Sequence, residues 1–220
     1  LKLQSLNYFI LDRLVFTKQP KTKHAKRLAK PQDKEWFSCF AEDAPVDLPP
    51  VNSSELVKLE LLDMEAEQKA TKKPGKLEHK YDDDFLWAFK DLVKSNGYKW
   101  SKDYFEGLLE VAADRTIRLK YRFNRPRPYQ LAPYHNVDMT IFGSNTAKTP
   151  SFPSGHTAQS RLVARIIGDA YPELKEDAME LANEISKSRR VGGHHFKSDV
   201  DYGEKIGDWL HANLVKVWKK

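Results

Sequence analysis

From residue 52 onward, apolar side chains recur at intervals of three and four, the spacing that lines one face of an α-helix. Asn52-x-x-Glu55 reads as a capping box opening a helix that runs to about Lys72, where Lys73-Pro74-Gly75 breaks it. The spacing predicts a second helix over Tyr81 to Ser95, closed by Asn96-Gly97, and a third, capped by Ser101, running towards Tyr121. Further helices are predicted over His156 to Ala170, Leu174 to Arg190 and Ser198 to Trp218. The alternation expected of strands is almost absent after residue 50. The expectation is an all-α fold: a single helical bundle over 51–220, an irregular N-terminal extension over 1–50, and a long loop from Pro126 to Pro153.

The apolar stripes end on polar residues. On the third predicted helix Phe105, Leu109, Ala112, Thr116 and Lys120 share a face, with Lys120 its one charge. On the helix from Leu174, the stripe Leu174, Ala178, Leu181, Ile185 continues into Ser188 and Arg189. His156 leads Ser160, Val163 and Ile167, and His195 and Asp199 lead Gly203, Ile206, Leu210, Leu214 and Val217. A buried lysine or arginine is costly unless it meets opposite charge. The simplest common partner for Lys120, Arg127 and Arg189 is an anion from outside the chain, held in a pocket at one end of the bundle.

Three blocks carry these residues: Lys120 to Pro128, Pro153 to His156, and Ser188 to Asp199. Ser154-Gly155-His156 opens a helix, where unpaired N–H groups and the helix dipole favour an oxyanion. Gly155 admits close backbone approach and Ser154 can donate its hydroxyl. Arg127 and Arg189 offer forked donors matched to phosphate oxygens, and Lys120 adds a point charge. Asp199, four residues after His195, can hold one imidazole nitrogen and leave the other free to attack phosphorus. His156 would then protonate the leaving alcohol and later activate water. Singly each block has an ordinary explanation: His194 reads as a bystander, Arg122, Arg125 and Arg127 as a solvated basic turn, and Pro126 and Pro128 as helix stops. Their joint alignment on inward faces favours the site.

Composition narrows the picture further. The formal net charge of +6 suits anionic partners, and no stretch approaches the length of a membrane span. The opening segment is too polar for an intact secretory signal, and Cys39 is the single cysteine. A cytoplasmic location is therefore the expectation, with a secreted mature form left open. Residues 17 to 31 are basic and free of acid; they read first as a solvated mobile arm and second as a contact for an acidic surface or polyanion. A metal site on His156, His195 and Asp199 is disfavoured, because three cations aimed at the same pocket would repel it.

The blocks resemble the tripartite signature of the type 2 phosphatidic acid phosphatase superfamily, which includes bacterial class A acid phosphatases and vanadium haloperoxidases. Its pattern, Lys-x6-Arg-Pro, Pro-Ser-Gly-His and Ser-Arg-x5-His-x3-Asp, is complete here from Lys120 to Asp199. The resemblance implies a helical, metal-independent and cofactor-free phosphomonoesterase with His195 as nucleophile, Asp199 as its support and His156 as acid and base. Lys120, Arg127, Ser154, Gly155 and Arg189 would bind the phosphate of a small molecule or lipid head group. A haloperoxidase holding vanadate in the same pocket is the first alternative, and a binding protein whose basic arm, residues 17 to 31, contacts a polyanion or a membrane surface is the second; the 26 residues between Arg127 and Ser154 suit a compact phosphatase better than a haloperoxidase. The expected departures are the lack of spanning helices, of a signal peptide and of paired cysteines. Phe123, Tyr129, Tyr134, Phe142 and Phe152 are candidates for the pocket mouth or, as readily, for core.

Overall fold

The computed structural model describes residues 11–16, 18, 20–29, 45 and 47–218; Cys39 and several residues of the basic stretch lie outside them. Every regular element among these residues is helical. In chain order they are α1 (Thr22–Ala29), α2 (Glu55–Ala70), α3 (Pro74–Tyr81), α4 (Leu86–Ser95), α5 (Lys102–Phe123), α6 (Pro128–Leu131), α7 (Gly155–Ala170), α8 (Lys175–Val191) and α9 (Lys197–Trp218). Short 3-10 turns at Ala132–His135 and Pro172–Leu174 join them. No described helix is long and apolar enough to cross a membrane.

The central element is α7, packed against α5, α8 and α9. Ala158, Leu162, Val163, Ala164 and Ile167 are fully enclosed there, within a core that also takes in Phe89, Ile185, Ile206 and Leu210. Two glycines one turn apart let α9 approach closely. A Cβ on Gly203 would lie 2.8 Å from the Ser154 carbonyl oxygen, and one on Gly207 would lie 2.8 Å from that of Ala158. This contact brings the start of α9, with Asp199, against the start of α7. There the Ser154 N–H donates to the Asp199 carbonyl at 2.9 Å.

A smaller cluster of Leu11, Val57, Leu61, Leu131, Ala132, Val137 and Phe196 seats α2 beside the other end of the site. Gln68 on α2 clamps the long loop: its amide donates to the carbonyls of Thr140 (2.6 Å) and Val191 (2.8 Å) and accepts from the Thr140 N–H at 3.0 Å.

Several local expectations change. Ser54 rather than Asn52 caps α2, accepting from the Val57 N–H. The Asn52 amide instead donates to the Leu11 and Leu14 carbonyls, tying the N-terminal extension to the bundle. The helix predicted from Tyr81 starts only at Leu86, as α4, and a separate helix, α3, opens at Pro74 where only a break was expected. Gly97 does close α4, with φ of 82°. In the extension, Thr22–Ala29 is a helix lying on α5, not a wholly solvated arm: the Arg118 guanidinium donates to the Arg27 carbonyl, and Arg27 pairs with Glu110. Phe152 is core, stacked on Tyr202, and Phe123 packs edge-on against it; Tyr134 is exposed.

Candidate active site

A cavity of about 130 Å³ opens where the starts of α7 and α9 meet the ends of α5 and α8. Lys120, Arg127, Gly155, His156, Arg189 and His195 line it together with Thr146 and Thr149 of the loop and His24 and Arg27 of α1. No carboxylate stands among these lining residues. Six of the eight residues expected from the sequence thus share one cavity wall. The other two lie just behind it. Ser154 is fully buried as the α7 cap, its hydroxyl taking hydrogen bonds from the Thr157 N–H and hydroxyl. Asp199 lies behind His195.

His195 is held in one tautomer. Its Nδ1–H donates to Asp199 Oδ2 at 3.4 Å, and an Arg127 N–H meets Nε2 at 3.3 Å. Arginine can only donate, so Nε2 is the unprotonated nitrogen. Burial, then the charges of Arg127 and Lys120, push the imidazole well below its ordinary value, and Asp199 only partly opposes them. The result is a neutral ring. Asp199 has no oxygen to spare: Oδ2 also accepts from the Phe196 N–H and the Ser151 hydroxyl, and Oδ1 accepts from Arg125 at 2.6 Å. Burial opposes its ionisation, but Arg125, His195 and Ser151 outweigh it and keep the carboxyl below the usual range.

His156 donates from Nε2 to the Asp82 carbonyl at 3.0 Å, which leaves Nδ1 as the nitrogen that exchanges a proton. Burial and then the Arg189 charge lower it to about 3. The cations act on one another too. Burial and then Arg127 lower Lys120 well below its ordinary value, while burial and then Arg189 lower Arg127 to about 10. Lys120 donates to the carbonyls of Pro150 and Ser151, and Arg127 to those of Thr149 and His194 and to the Thr149 hydroxyl. Among the described residues neither has a direct carboxylate contact. A bound anion would relieve this repulsion and raise the histidines.

Arg189 departs from the expectation of an external counter-ion. Glu78 at 3.2 Å and Asp82 at 2.9 Å pair with it from behind, while its Nε–H has no hydrogen-bond partner among the described residues. Asp82 in turn accepts from Ser144, Thr146 and the Asn145 N–H. Burial works against the Asp82 anion, but those hydroxyls and Arg189 hold it below the ordinary carboxylate range. Two further corrections concern residues read as incidental. His194 is buried, its Nε2 on Glu78 at 3.0 Å. Arg125 is buried between Asp199 and Glu60 and belongs to no solvated turn. Glu60, Glu78, Asp82, Arg125, Ser144, Thr146 and Ser151 have no local signature in the sequence, since each meets its partner across a large gap in the chain.

These linked shifts carry a measurable consequence. His156 alone is deprotonated at mildly acid pH; an oxyanion bound beside it would raise its pKa, so binding is expected to take up protons from solution. Calorimetric titration with sulfate, in buffers of differing ionisation enthalpy, is expected to show net proton uptake. Binding with no uptake would contradict the assigned coupling.

Fold and cavity together bring two histidines and three fixed cations to one end of a helical protein. Residues 107–219 match the PAP2 superfamily, and the chain belongs to it. It is 35% identical over 102 residues to a non-specific acid phosphatase of Salmonella typhi, covering 46% of this chain and 40% of that one. It is 32% identical over 111 residues to a non-specific acid phosphatase of Providencia stuartii, covering 49% and 43%. The matched segment spans less than half the length of either relative. In fold the chain is similar to a bacterial vanadium-dependent iodoperoxidase, with a TM-score of 0.55 and 16% identity over 79% of this chain and 51% of the other.

Proposed function

We propose that this protein is a phosphomonoesterase of the acid-phosphatase type, working without metal through a phosphohistidine at His195. The observation that carries the reading is a neutral imidazole whose unprotonated Nε2 meets Arg127 in a cavity lined by cations and no carboxylate. Nε2 attacks phosphorus, the bond to the ester oxygen breaks, and His156 Nδ1 delivers its proton to the leaving alcohol. Water then attacks phosphorus, His156 takes its proton, and the P–N bond breaks to release phosphate and neutral His195. The cationic surroundings of Lys120, Arg127 and Arg189 stabilise charge on the equatorial oxygens. Asp199 favours the imidazolium-like charge that develops as the P–N bond forms.

A metal is poorly served by these residues, because every Asp199 oxygen is already engaged and the lining repels a dication. The test is hydrolysis of p-nitrophenyl phosphate with orthovanadate and with EDTA. Turnover that vanadate inhibits and EDTA leaves intact is expected. Activity lost to EDTA and restored by a divalent cation would overturn the metal-free part. Bromide oxidation by peroxide with vanadate, and no hydrolysis, would replace the phosphatase reading.

A further inference from the structure

The cavity has a second cationic end that the proposed chemistry does not use. His24 and Arg27 lie three apart on α1, hence on one helical face, and both line the cavity. Their wall of α5 runs from Ala113 through Thr116 and Ile117 to Lys120, about 10 Å along the helix axis at its ordinary rise. Arg27 is anchored beyond that stretch by Glu110, an exposed carboxylate, and its carbonyl is held by Arg118. The Nδ1 of His24 is buried and has no hydrogen-bond partner among the described residues. Burial first, then Arg27, Lys23, Lys21 and Lys120, lower its pKa, and each of these neighbours is a cation. Lys21, Lys23 and Lys26 remain exposed around the cavity helix. A positive end with an unused imidazole nitrogen, separated by an apolar and hydroxyl wall from the phosphate end, suits a second anion.

We propose that α1 forms a leaving-group subsite in which His24 and Arg27 bind a second phosphate of a small bisphosphorylated substrate. The inference rests on the phosphatase reading for which phosphate is cleaved, and on the cavity alone for where the other sits. Such a substrate would place a short carbon skeleton along Ala113 and Ile117 and its remote phosphate against α1. α1 then has a role within the site: its cations attract doubly anionic substrates and raise their local concentration.

The test compares n-butyl phosphate with 1,4-butanediol bisphosphate, a symmetric substrate that gives one product whichever phosphate is cleaved. The full chain is expected to favour the bisphosphate in kcat/KM by about tenfold, as one charge-assisted contact provides. Arg27→Ala and His24→Ala are each expected to lower kcat/KM at least about fivefold more for the bisphosphate than for the monophosphate. Arg27→Lys should retain part of the preference. Equal losses on both substrates, or a rise on both as from removing an obstructing lid, would overturn the subsite. Calorimetry with n-butylphosphonate and 1,4-butanebisphosphonate reads the same preference without turnover. A bisphosphonate preference abolished by Arg27→Ala in a protein that hydrolyses nothing would keep the subsite and reject the phosphatase; no preference in an active enzyme would do the reverse.

Discussion

His195→Ala is expected to lower kcat on p-nitrophenyl phosphate by on the order of 10⁴-fold or more. On the proposed mechanism the change would remove the two-step route altogether, whereas the cationic wall of Lys120, Arg127 and Arg189 would remain to bind phosphate. The fold should survive. Asp199 keeps its contacts to Arg125, Ser151 and the Phe196 N–H without the imidazole, so no buried charge is stranded. Removing the ring also spares the site a histidine that its neighbours already hold neutral. Steady-state kinetics beside circular dichroism and sulfate calorimetry would separate the two effects. A folded variant that binds sulfate yet retains a tenth of the wild-type rate would remove His195 from the chemistry.

Arg125→Ala should produce the largest loss of stability, about 3–5 kcal/mol. The Arg125 guanidinium pairs with Asp199 at 2.6 Å and Glu60 at 3.4 Å, and it lies 4.0 Å from the Phe196 ring centroid. Arg125 and both of its carboxylate partners are buried. Truncation would leave two carboxylates out of water without their cation, although Glu60 keeps the Ser198 N–H and hydroxyl. It would also let the Asp199 pKa rise from its depressed position, since Arg125 is the largest of the influences that lower it. The sign follows: wild-type Asp199 stabilises the fold above its unfolded pKa near 3.8, and that contribution fades as pH falls through the folded value. The variant should therefore lose stability mainly at neutral pH and less in acid. Urea denaturation at both pH values measures this, and a loss below about 1 kcal/mol at neutral pH would show that the pair is not a keystone of the fold.

The difference between Arg125 and Arg127 shows what a sequence can and cannot convey. Two residues apart, they flank Pro126, yet Arg127 faces the cavity and Arg125 a pair of carboxylates on α2 and α9. Local spacing was enough to place Lys120 on an inward face, to open α7 at Ser154, and to set Asp199 behind His195 on α9. Helical periodicity speaks to such facts because they depend on neighbours within a turn or two. It carries no record of Glu78 and Asp82 folding back onto Arg189 from α3 and its following turn, more than a hundred residues away in the chain. The break at Asp82 was hidden for the same reason. Its side chain gathers Ser144, Asn145, Thr146 and Arg189, a role visible only once those groups meet. Likewise the basic run before residue 31 has the composition of a solvated arm, and only the packing of α1 on α5 turns His24 and Arg27 towards the cavity.

The most direct measurement is to trap the covalent state. Enzyme mixed rapidly with a phosphomonoester, quenched in alkali to preserve a P–N bond and digested for mass spectrometry should carry a phosphoryl group on His195. It should carry none on His156, and none at all in His195→Ala. Phosphoryl on another residue, or turnover in which no enzyme-bound phosphate forms at any time, would contradict a phosphohistidine at His195.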